Sequence, residues 1–187
     1  MEKVTVHPTL RNLTLTLHIM LSVGWLGAAA AYLVVAVAAL TSGQPQRMRD
    51  AYPVLSLIGW WAIVPLCGAA LSSGVAQSVG THWGLFRHWW VVAKLGLTLL
   101  ATGVLLAHMP AVSAAAAGAA RASVHAPTTH GHGSGGHAVP VQIVIHAAGG
   151  LIVLATIAAV SVFKPWGLTP RGRRLRAASV SGLQKKD

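Results

Sequence analysis

Charge is what this sequence has least of. Of its 187 residues only 9% are Asp, Glu, Lys or Arg, against about a quarter in a soluble globular domain. A chain so poor in charge cannot cover a water-exposed surface. Acids are scarcest, with three in all: Glu2, Asp50 and Asp187. Paired-carboxylate acid–base catalysis therefore has almost no material to work with. There is no nucleophile–base–acid constellation and no phosphate-cradling glycine loop, so enzymatic activity stays open. A single cysteine, Cys67, excludes an intrachain disulfide.

What is present is apolar: 54% of residues are hydrophobic and mean hydropathy is +0.62. A membrane-crossing helix needs about 20 mostly apolar residues. Four stretches qualify, at about 12–40, 53–79, 88–109 and 141–163. The expected fold is all-α, an integral membrane four-helix bundle over residues 1–167. The first stretch lacks a short apolar core with a small-residue cleavage site, so it reads as a retained span. Pro65 is expected to kink the second span, and Pro110, Pro140 and Pro165 to mark the ends of the last two. TSGQPQRMRDAY reads as a polar turn between spans one and two. Residues 110–140 read as an outward His-rich loop, with a short helix allowed at its Ala-rich start. Residues 168–187 read as a basic, disordered tail.

Fourteen Lys and Arg against three acids would suit nucleic acid. Here the basic residues flank apolar runs, so the positive-inside rule accounts for them and no nucleic-acid partner is expected. The N-terminus, second loop and tail carry ten: Lys3, Arg11, Arg87, Lys164, Arg171, Arg173, Arg174, Arg176, Lys185 and Lys186. The other two loops carry Arg47, Arg49 and Arg121. Both termini are thus expected on the cytoplasmic side of a bacterial cytoplasmic membrane, with the His-rich loop outside.

Ionisable residues within a bilayer are functional candidates. His18, Lys94, His108 and His146 lie in spans, and His88 lies at a boundary beside Trp89 and Trp90. Thr14, His18, Ser22 and Trp25 fall on one helical face, as do Trp90, Lys94, Thr98, Ala101, Leu105 and His108. At 1.5 Å per residue, His18 and Lys94 each lie about 9 Å from the inner ends of their spans. His108 and His146 fall near the outer ends. Two clusters are expected, one per leaflet. Neutral imidazoles from facing helices can ligate haem iron, and Gly24, Gly27, Gly149 and Gly150 could make room for a porphyrin. Lys94 also reads as a snorkelling side chain, and the histidines as structural hydrogen-bonders. In the loop, His125, His130, His132 and His137 form a separate candidate transition-metal site, against the plainer reading of a Gly/His-rich linker.

The run His18-IMLSVG-Trp25-Leu26-Gly27, with Trp90-VVA-Lys94-Leu95 later, resembles the HemJ-type protoporphyrinogen IX oxidase family. The opening histidine-then-Trp-Leu-Gly is also similar to CopD-type copper-resistance membrane proteins. The Ala/Gly/Val/Arg-rich usage resembles uncharacterised actinobacterial membrane proteins. The resemblance implies haem b, with His18 as a ligand and Lys94 as its functional partner. The oxidase family's Pro-Arg stretch after the first-span Trp has no counterpart in GAAAAYLVVAVAAL, so haem binding is the implied property. Three functions are therefore carried forward. The first is a haem-b protein passing electrons to a redox partner or quinone; the second is a copper- or metal-handling protein; the third is a non-catalytic membrane scaffold or partner subunit.

Overall fold

A computed structural model describes residues 8–80, 86, 88–124, 138–163, 167–174 and 176–177. The described chain is helical: α1 (Pro8–Thr41), α2 (Pro45–Ile58), a π-helical turn (Gly59–Ile63), α3 (Val64–Gly80), α4 (Trp89–Val124) and α5 (Ala138–Phe163). Four helices are long and apolar enough to cross a membrane: Thr9–Thr41, Pro45–Val79, Trp89–Arg121 and Val139–Phe163. The chain is a multi-pass membrane protein. Packing follows an up-and-down order: α1 and α4 each pack on the α2–α3 rod and on α5, facing each other across the middle.

The connection after α1 is much shorter than the polar turn read from the sequence. Gly43 takes the left-handed conformation (φ 64°), which releases the chain from α1. Pro45 then sits in the first turn of α2, where its missing N–H costs nothing. The segment QRMRDAY is helical.

Pro65 acts one turn earlier than a simple kink. The N–H of Val64 reaches back to the carbonyl of Gly59, five residues away, and opens the helix into a π turn. The wider turn relieves the clash a proline ring makes with the carbonyl four residues before it. Gly59 leaves room here for the buried Met109: a Cβ would lie 2.5 Å from its Cε and 2.7 Å from its Sδ, so the methionine end would have to shift.

Pro110 does not end the third span. It lies on the exposed face of α4, which continues to Val124. An interior proline costs about 3 kcal/mol. Continuing as a helix keeps Met109 (1% exposed) and Val112 (0%) on the core side, and that packing offsets the cost. The expected loop from residue 110 is therefore helical to 124 and again from 138. Its centre, 125–137, lies outside the described residues.

With 34 and 36 residues, α1 and α4 are about 51 and 54 Å long at 1.5 Å per residue, far beyond a hydrocarbon core of about 30 Å. The excess lies at the Arg47–Arg49–Asp50 end. There α2 packs along the Ala-rich half of α4, burying Ala51 and Leu55 as well as Val112. Alanines let the helix axes approach closely, and α5, with 26 residues, does not reach as far.

At the opposite end the basic tail is partly built. Gly167 accepts the N–H of Trp89 (3.3 Å), and Leu168 forms a bridge with His88. Buried Thr169 donates its hydroxyl to the Phe86 carbonyl (2.7 Å) and accepts the N–H of Gly172 (3.1 Å). It is an N-cap, with Pro170 following as the first helical residue.

Leu55 is fully buried at the junction of α2 with the core. Leu55→Ala is expected to cost about 2–5 kcal/mol, read as an earlier thermal unfolding transition in detergent.

Candidate functional site: two polar levels in the bundle

His18 lies half-buried on α1, facing α3. Its Nδ1 is 2.9 Å from the Ser73 hydroxyl, whose own hydrogen is directed to the Ala70 carbonyl at 3.1 Å. With the Ser73 hydrogen given to the Ala70 carbonyl, Nδ1–H of His18 is the donor between them. Nε2 is then left with its lone pair, the arrangement that a metal-ligating histidine requires. The ring lies against Gly74, where a Cβ would approach Cε1 to 3.1 Å. One turn lower, Gln77 donates to the Thr14 carbonyl at 2.7 Å and fixes α1 against α3.

Lys94 enters the same level from α4, across the bundle. Its Nζ stands 5.9 Å from the Trp90 ring centroid. Among the described residues the only carboxylate is Asp50, at the far end of the bundle. The half-buried ammonium thus has an aromatic face but no ion pair among them. His88 sits lower still, at the start of α4, its ring tilted 51° to Trp90 at 6.3 Å. It is engaged with the C-terminal segment through the Leu168 bridge.

At the second level His108 and His146 meet. Their rings stack with centroids 4.4 Å apart and planes 11° from parallel. His146 Nδ1–H donates to the Gln142 carbonyl at 2.8 Å, so its Nε2 keeps the lone pair. His108 Nε2 is buried with no hydrogen-bond partner, and so is the hydroxyl of Tyr32. Tyr32 packs beside Gly59 and Met109, next in sequence to His108. In the stack, these rings do not fit opposite faces of one porphyrin. Axial nitrogens there stand about 4 Å apart across the iron, with each ring extending away from the other. The pair suits a small ion better than a haem.

His108 and His146 meet, as expected from their heights along α4 and α5. Ser73, Gly74 and Tyr32 did not stand out in the sequence. Ser73 and Gly74 form a small-residue step, a signal too common in membrane helices to stand out alone. Of the glycines considered for a porphyrin, Gly24 faces Leu66 at 3.5 Å, whereas Gly27, Gly149 and Gly150 have open space before them. His125, His130, His132 and His137 lie outside the described residues. No group of three or more His, Cys, Asp or Glu among the described residues could hold a metal ion.

No protein-family model, curated protein or solved structure matches the chain.

Gly74→Val would push a branched side chain into the space of the His18 ring. Loss of the His18–Ser73 hydrogen bond is expected, read by ¹⁵N NMR of labelled histidine as a mixture of tautomers in place of one. A spectrum unchanged from wild type would disprove the packing.

Proposed function

We propose that this chain is a haem-b-binding protein of a bacterial cytoplasmic membrane, with both termini cytoplasmic, that serves in electron transfer. The observation that carries the reading is an imidazole on α1 held by Ser73 with its Nε2 open, in a bundle whose α4 carries an ammonium with no carboxylate partner among the described residues. Haem b asks for both: a neutral nitrogen on the iron and a cation near its propionates. His18 would hold the iron and Lys94 a propionate. When bound, the haem supplies a one-electron couple. The protein's part is to orient and to shield. Ser73 fixes the imidazole tautomer, Gly74 leaves room for the ring, and Trp90 supports the Lys94 ammonium. The resemblance of the His18–Gly27 and Trp90–Leu95 runs to the HemJ-type family favours the same reading.

Purified protein expressed with haem supply is expected to show a Soret band. His18→Ala should abolish it, and Lys94→Gln should weaken haem retention by about tenfold, corresponding to loss of one charge-assisted hydrogen bond. Deleting 125–137 should leave the band intact. Absence of a Soret band in the wild type would refute the proposal. If the His18 and Lys94 substitutions altered thermal stability alone, a non-catalytic scaffold would be the better account.

The stacked pair supports metal handling as a second reading. The open Nε2 of His146 and the buried, unpartnered Nε2 of His108 are two neutral donors for copper or another transition ion after a modest ring rotation. Binding of Cu(I) or Zn(II) to haem-free protein should survive deletion of 125–137 and vanish in the His108→Ala/His146→Ala double variant. Binding that disappears with the loop instead would assign the metal to His125, His130, His132 and His137.

A further inference from the structure

The C-terminal segment carries Arg171, Arg173 and Arg174 within four residues, all exposed. A free tail would let such charges spread apart. Here they cannot, because Thr169 pins the turn. Its hydroxyl holds the Phe86 carbonyl at 2.7 Å and caps Gly172, and Arg173 N–H returns to the Thr169 carbonyl at 2.9 Å. The Gly167–Trp89 bond sets this turn beside the first residues of α4. Like charges are thus gathered on a built platform, which is unfavourable without counter-charge. Among the described residues none is at hand, since Asp50 lies at the other end of the bundle.

The surroundings indicate where the counter-charge comes from. Phe86 (53% exposed), Trp89 (50%) and Phe163 (79%) stand at the same end. An exposed tryptophan such as Trp89 at the end of an apolar bundle marks the headgroup level of a bilayer. A basic turn held at that height faces lipid phosphates, with apolar side chains directed at the acyl region beneath. We infer that the Thr169-capped turn is a binding platform for anionic phospholipid, with Arg171, Arg173 and Arg174 engaging headgroup phosphates in the leaflet at this end. Arginine suits the task because its planar fork makes paired hydrogen bonds to phosphate oxygens. A polybasic segment would attract such lipids generally; the cap adds a fixed height and spacing.

The test uses the full chain reconstituted in vesicles of phosphatidylcholine with one-fifth phosphatidylglycerol. Lipid retained after mild detergent extraction is then quantified by mass spectrometry. Wild type should enrich phosphatidylglycerol by about fivefold or more over the bulk ratio, the effect expected from one arginine near the surface. Raising salt should reduce that enrichment. Arg171→Gln/Arg173→Gln/Arg174→Gln should cut that enrichment severalfold, leaving only the residual attraction of the other basic residues. Thr169→Val keeps every charge but loses the clamp, and should lose most of the enrichment at unchanged helicity. Equal retention by wild type and the triple variant, or salt-independent enrichment in the wild type, would overturn the proposal. Full enrichment in Thr169→Val would overturn the built platform and leave only generic charge attraction. The haem reading is independent, since none of these substitutions touches His18 or Lys94.

Discussion

Inside a bilayer no water is present to satisfy a backbone N–H or C=O, so every such group must find its partner within the chain. The described structure follows from that requirement. It makes the spans helical, and it explains how their hydroxyl groups behave. Thr98 donates to the Lys94 carbonyl (2.8 Å), Thr102 to Thr98 (2.7 Å), Ser72 to Gly68 (2.8 Å) and Ser161 to Ile157 (2.7 Å). Each turns inward on its own helix instead of facing lipid. Thr102, having given away its hydrogen, accepts from Cys67, with Sγ and Oγ1 3.0 Å apart. The prolines are handled in the same way. Pro65 is absorbed by the π turn, and Pro110 is tolerated on an exposed face between two buried neighbours.

Against this background, the polar groups that are not satisfied locally stand out. His18 reaches across to another helix for its Nδ1 partner, and Lys94 leans on an aromatic face. His108 and Tyr32 keep buried polar atoms without a partner. Leaving such groups unpaired costs about 1–3 kcal/mol each, and a ligand or ordered water can recover it. The two levels differ in kind. The His18 level joins a metal-type donor to a cation, as an amphiphilic, carboxylate-bearing cofactor would need. The His108–His146 level presents two imidazoles in contact, too close to enclose a porphyrin.

The end bearing Asp50 has another character. Where α2 and the Ala-rich half of α4 extend beyond the reach of α5, the core consists of Ala51, Leu55 and Val112. Trp60 ties the two rods with an indole N–H bond to Ser113 at 2.9 Å.

The sequence by itself determined the four crossings and the pairing of levels. Long apolar runs admit few alternatives in a bilayer, and a rise of 1.5 Å per residue carries His108 to the height of His146. The Thr169–Pro170 cap went unread, because the basic composition around it favoured a disordered tail. Only tertiary structure decided the rest. Whether Pro110 stops a helix depends on what Met109 and Val112 bury against, and for Met109 those partners, Gly59 and Tyr32, are remote in sequence. Whether His18 keeps an open Nε2 depends on Ser73, 55 residues away, and on the hydrogen Ser73 gives to Ala70. Periodicity sets the height and face of a side chain. The tautomer, the stacking distance and the clamp depend on contacts between helices, which no single helix encodes.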